Sequence, residues 1–162
     1  MTTQIIEKNH RLITCQRGDA YIVVEGASNH YALRIGSKAA DALIYKYSQN
    51  ARRQEIKEIN ERLIAKTHAS EKVYKRVAEV DDGFELDVID GKQTRLRVTA
   101  TKGLETIHDG STTLFAQNPS ALPMVMPAET GDINLLKKYI NLDDVQLQLL
   151  VAWITYTLAH PK

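Results

Sequence analysis

The chain has 162 residues, enough for one ordinary domain or two small ones. Apolar residues make up 43% and charged residues 25%, which is a globular composition. The net charge of +1 sets up no general attraction to nucleic acid or membrane, so any basic site must be local.

Cys15 is the only cysteine, which excludes an intrachain disulfide and a cysteine-rich zinc site and fits a reducing compartment. The opening MTTQIIEKNHRL lacks the apolar core of a signal peptide. The last apolar segment is too short, and too polar at its start, to span a bilayer. These features predict a cytoplasmic chain with no membrane partner.

In chain order, Arg11–Gln16, Ala20–Glu25 and His30–Ile35 mix β-branched and aromatic residues with polar ones and read as short strands. Arg17-Gly18-Asp19 and Gly26-Ala27-Ser28-Asn29 supply the turns of a meander. Ser37 is placed to cap a helix from Lys38 to about Gln49, with Ala39, Ala40, Leu43, Ile44 and Tyr47 on its apolar face. Asn50 is placed to cap a second helix, Ala51 to about His68, with Ile56, Ile59, Leu63 and Ile64 inward and a charged outer face.

Lys72–Val80, Phe84–Ile89, Gln93–Ala100 and Leu104–His108 then read as a four-strand antiparallel meander. Asp81-Asp82-Gly83, Asp90-Gly91 and Lys102-Gly103 are its turns. Thr112–Gln117 reads as one more strand. Residues 118–127 form an extended linker, because prolines 119, 123 and 127 block both helix and sheet. A short helix from Asp132 to Ile140 follows, capped by Thr130 or Asp132. A last helix runs to His160, with Asn141 as cap and Asp144 at the capping-box position. The expectation is an α+β chain: residues 1–70 a β-meander with two helices, 71–117 the antiparallel meander, 118–127 the linker and 128–162 a helical joint.

The last helix is apolar on most sides, and such a helix is normally buried among other elements. A chain ending on one is expected to have been cut from something longer.

The chemistry-bearing candidates are few. Asp81, Asp82, Glu85, Asp87 and Asp90 form the one dense carboxylate cluster. Glu85 and Asp87 share a strand face and could hold a divalent ion for nucleotidyl transfer, whereas the other three suit tight turns. The five histidines are scattered without metal-site spacing, and neither a nucleophile motif nor a phosphate-binding P-loop occurs. No catalytic residue, metal ligand or cofactor site is assigned.

The best basic signal is Lys92–Lys102, with Lys92, Arg95, Arg97 and Lys102 and no acid. Strand alternation puts Arg95 and Arg97 on one polar face. Tyr74, Lys75 and Arg76 in the same proposed sheet add a stacking ring and more charge. Charge beside an aromatic platform suits single-stranded DNA, and a solvated sheet face gives the same pattern.

From Tyr74 onward the chain resembles a recurring segment in large AAA+ ATPases of prophages and integrative elements, similar to MCM-like or superfamily 3 replicative helicases. The resemblance rests on Arg76-Val77-Ala78, Asp82-Gly83-Phe84-Glu85-Leu86-Asp87 and Leu122-Pro123-Met124-Val125-Met126-Pro127. It continues through Leu136-Lys137-Lys138-Tyr139-Ile140-Asn141-Leu142 and Leu149-Leu150-Val151-Ala152-Trp153, in matching order and approximate spacing. The family often carries a tryptophan in the strand corresponding to Gln93–Ala100, and this chain has none.

The resemblance implies a non-catalytic accessory region that precedes a P-loop motor. Such a region would help a hexameric DNA-dependent ATPase engage DNA or assemble, with ATP and Mg held by the motor and none bound here. Two other expectations stand beside it: an oligomerisation or partner-docking module without DNA contact, and a primase-like nucleotidyl transferase using Glu85 and Asp87.

Overall fold

The computed structural model describes residues 2–26, 29–118, 120–128 and 130–159, without the side chains of 158 and 159. Part of the turn expected at 26–29, the proline at 119, and residues 160–162 lie outside the described residues. The architecture is α+β.

A helix precedes the first strand: α1, Thr2–Asn9, with Ile6 fully buried. Its only apolar pair, Ile5 and Ile6, gives no periodic signal, so packing rather than pattern makes it helical. β1 (Arg11–Cys15), β2 (Ala20–Val24) and β3 (Tyr31–Arg34) form the expected antiparallel meander. Ser37 caps α2, Lys38–Tyr47, accepting from the Ala40 N–H at 3.2 Å. The next helix, α3, is shorter than its apolar pattern suggests, Arg53–Ile64. Its start is set by the Glu55 carboxylate accepting from the Arg52 N–H at 2.7 Å, and not by Asn50.

The expected long strand Lys72–Val80 is broken at Lys75–Arg76. Its first part, β5 (Val73–Tyr74), joins the first sheet, and its second, β6 (Val77–Val80), the other. The first sheet also gains β4 (Ala69–Glu71). The other sheet continues with β7 (Gly83–Asp87), β8 (Arg95–Thr99) and β9 (Gly103–Ile107). The last strand, β10 (Leu114–Ala116), pairs parallel with β3 and β5. The six-stranded sheet is thus ordered β4-β1-β2-β3-β10-β5, and the antiparallel sheet β6-β7-β8-β9. The first sheet draws strands from both sides of residue 70, so its edge does not coincide with the expected 70/71 division.

Side chains alternate across the first sheet. Ile22 and Leu33 face Ile6, Ile44, Ile56, Ile59 and Leu63 of the three helices. Ile13, Cys15, Tyr21, Val23, Ala32 and Leu114 form a second apolar cluster.

Among the described residues, the segment after β10 has no regular structure up to a 3-10 helix, Ile133–Lys138, capped by Asp132 through the Asn134 N–H at 2.9 Å. The linker is tied to the antiparallel sheet by the Met124 N–H donating to the Val88 carbonyl at 2.8 Å. α4 spans Asp144–Ala159. Its start is fixed by Asp143, which accepts from the Gln146 N–H, while the Gln146 side chain accepts from the Asp143 N–H, at 2.8 and 3.1 Å. That reciprocal pair replaces the expected Asn141 and Asp144.

Candidate functional site

The basic face expected on β8 has the alternation predicted for it, but it points inward. β7 and β8 pair with Glu85 opposite Arg97 and Asp87 opposite Arg95, so acid faces base across the strands. Neutralised in this way, the polar face can leave water.

Arg95 is only 1% exposed. Its Nη1 donates to Ser111 Oγ at 3.1 Å and to the Thr113 carbonyl, and its Nη2 to the His30 carbonyl. The guanidinium carbon stands 4.8 Å from the centre of the Phe115 ring. Arg97, about one-third exposed, donates through Nε at 2.8 Å and through Nη2 to Glu85 Oε1. Glu85 Oε2 accepts from Ser111 Oγ at 2.8 Å.

Asn29, also buried, extends the network. Its side chain accepts from the Ser111 N–H at 2.9 Å and donates to the Gln93 carbonyl at 2.8 Å and the His108 carbonyl at 3.3 Å. Most buried polar groups need a partner; here the partners come from β7, β8, the loop between them and the loops before β3 and β10, and Arg95 Nε is left without one.

The carboxylates show the consequence. Burial raises the Glu85 pKa, but hydrogen bonds from Arg97, Thr113 and Ser111 and the Arg97 charge outweigh it and leave the group below its ordinary value. Burial raises the Asp87 pKa, and a hydrogen bond from the Ile89 N–H and the Arg95 charge offset this only in part. Both Glu85 oxygens are engaged within the protein, Oε1 by Arg97 and Oε2 by Ser111, and an Asp87 oxygen accepts from the Ile89 N–H at 3.1 Å. Among the described residues no group of three or more His, Cys, Asp or Glu side chains is placed to hold a metal.

The remaining expected contacts are dispersed. Tyr74 lies in the first sheet, not beside β8, with its ring 6.2 Å from that of Phe115. Arg76 is half-buried and donates to the Leu122 carbonyl at 3.4 Å. Lys75 and Lys92 are exposed, and exposed Lys102 pairs with Glu105 at 3.4 Å. Arg95, Arg97 and Tyr74 therefore do not share a solvent-facing platform.

The surface also presents large apolar side chains. Among the described residues, all the exposed large apolar ones except Tyr45, Ile64 and Leu104 lie between Leu122 and Tyr156. They include Leu122 and Val125 of the linker, Tyr139 after the 3-10 helix, and Val145, Leu149, Trp153 and Tyr156 of α4. These residues are close in sequence, and exposed apolar surface on this scale, where contiguous, is typical of interaction sites. Among the described residues, no helix is long and apolar enough to cross a membrane.

No protein-family model matches the chain, and no curated protein and no solved structure matches it either.

Proposed function

We propose that the chain is a non-catalytic assembly domain of a DNA-dependent ATPase carried by a mobile genetic element. The observation that carries this reading is the run of exposed apolar side chains from Leu122 to Tyr156. That run coincides with the segments Leu122–Pro127, Leu136–Leu142 and Leu149–Trp153, through which the chain resembles the accessory regions of such ATPases. An interface needs a desolvated apolar centre, and this surface supplies one. ATP and Mg belong to the motor partner.

The test is co-elution of the chain with the P-loop ATPase of the same element. A stable complex is expected, and it should be lost in Trp153→Glu. Absence of a complex at high micromolar concentration refutes the assignment to a motor.

Engagement of single-stranded DNA is the second reading, favoured by exposed Lys75 and Lys92 and by Arg76 next to Lys75 in the sequence. Fluorescence anisotropy with a labelled oligonucleotide tests it. Affinity should fall steeply with salt and drop in Lys75→Ala with Lys92→Ala. Binding that ignores salt removes this reading.

A further inference from the structure

We infer that α4 pairs with the same helix of a second copy, antiparallel, about a two-fold axis near Leu149. This rests on the assembly reading, whose apolar run it shares, and adds a contact between copies and its geometry.

The sequence of α4 sets two apolar stripes on opposite sides. At 100° per residue, Leu147, Leu150, Val151 and Ile154 fall on one side, and Val145, Leu149, Ala152, Trp153 and Tyr156 on the other. Asp144, Gln148 and Thr155 separate them along one seam, Gln146 and Thr157 along the other. The first stripe is turned away from solvent: Leu147 is buried, and Leu150, Val151 and Ile154 are half-buried. The second is open, with Val145 65%, Leu149 66%, Trp153 63% and Tyr156 64% exposed. The two stripes want two different neighbours.

Charge and shape both admit a second copy on the open stripe. No residue from Val145 to Ala159 is charged, so two such helices do not repel. Val145, Leu149 and Trp153 recur every four residues and form one ridge, which fits the grooves of a like helix. Antiparallel packing about Leu149 sets each Trp153 over Val145 of the other copy, large against small, with the two such pairs about 12 Å apart along the axis. Ala152 beside this ridge permits close approach. The two helix dipoles then run in opposite directions, which is the favourable arrangement.

The area sets the strength. Aromatic side chains bury roughly 150–250 Å² each when fully covered, and Val145 and Leu149 somewhat less, so two-thirds of these four groups gives about 450 Å² per copy and about 900 Å² for the pair. That is below the roughly 1,200–2,000 Å² of standard stable complexes. A dimer that dissociates at micromolar concentration is therefore expected.

Trp153 is the only tryptophan, so its emission reports on this surface alone. Sedimentation from low micromolar to submillimolar chain should show monomer passing to dimer, with a parallel blue shift of the emission. Leu149→Glu should hold the chain monomeric. Cysteine substitution tests the geometry, and native Cys15, being buried, adds no background cross-link. Leu149→Cys should cross-link to itself. Val145→Cys should cross-link to Trp153→Cys and not to itself.

A chain that is monomeric throughout and forms no Leu149→Cys cross-link overturns the inference, and self-cross-linking of Val145→Cys overturns the antiparallel form. A complex with the ATPase that forms without self-association sinks this inference alone. Self-association without any ATPase complex sinks the motor assignment alone.

Discussion

Arg95 separates a structural arginine from a ligand-binding one. In Arg95→Ala, the Thr113 and His30 carbonyls lose their charged donor, Ser111 loses one of its bonds, and the face of Phe115 is uncovered. An orphaned buried acceptor costs about 1–3 kcal/mol. Removing one member of a buried charge network costs about 3–5 kcal/mol in all. Taking roughly 4 kcal/mol, and about 2–4 °C per kcal/mol for a chain of this size, the melting temperature should fall by about 8–16 °C. Against a total stability of about 5–15 kcal/mol, the variant still folds or only just does. Arg95→Met keeps much of the stem over Phe115 and should lose less than Arg95→Ala. Thermal and urea unfolding, followed by far-ultraviolet circular dichroism, measure both. A solvent-facing arginine reserved for DNA would shift stability by no more than about 0.5 kcal/mol. Shifts of that size in Arg95→Ala would show that the guanidinium does not hold the two sheets together.

Two further outcomes follow from the same geometry. Glu85 has its folded pKa below its ordinary value of 4.5, so its contribution is present above that pH and is lost as pH falls through the folded value. Asp87, with a raised pKa, acts in the opposite sense. The difference in acid unfolding between the native chain and Glu85→Gln isolates the Glu85 limb, and Glu85→Gln should have the shallower loss below about pH 4.5; equal slopes would refute the assignment. In Gly83→Ala the added Cβ would sit 1.9 Å from the Val98 carbonyl oxygen, a backbone atom that cannot move without unpairing β7 from β8. The loss should far exceed the roughly 1 kcal/mol ordinarily separating glycine from alanine inside an element; a stability within that range would refute the close approach.

The strands legible in the sequence were those flanked by turn residues. β1, β2 and β3 and the β6–β9 meander all follow from short β-branched runs between Gly- and Asp-bearing turns. Strand β4 and helix α1 have no such signature and exist because a neighbouring element accepts them. The break at Lys75–Arg76 was invisible because Val73–Tyr74 and Val77–Val80 are equally good strand residues; which sheet each joins is decided by long-range pairing with β10 and β7. The same limit governed the basic face. Alternation placed Arg95 and Arg97 together, and Glu85 and Asp87 together. Setting the two strands in hairpin register would have shown acid opposite base. Ser111, Asn29 and the Thr113 and His30 carbonyls could not be foreseen, since they come from loops with ordinary turn composition. The open stripe of α4 was legible in part: its length and apolar content are plain, but two opposed stripes give no single inward face.

The buried charges also explain why the antiparallel sheet has one register. A slip of one residue between β7 and β8 would turn Arg95 and Arg97 to the opposite face from Glu85 and Asp87. A slip of two would restore the facing but move Arg95 about 7 Å along its strand, out of reach of Ser111. Ser111 Oγ accepts from Arg95 and donates to Glu85, so one hydroxyl gauges both strands against the loop before β10. Apolar side chains alone would tolerate such a slip more readily, because burial is non-directional. The arginine and carboxylate chemistry of the sheet is thereby committed to holding the fold in one arrangement. Left on the outside, and not used by the fold, are the exposed apolar side chains from Leu122 to Tyr156. That distribution is why a partner for this chain is sought among proteins with an apolar face before it is sought among polyanions.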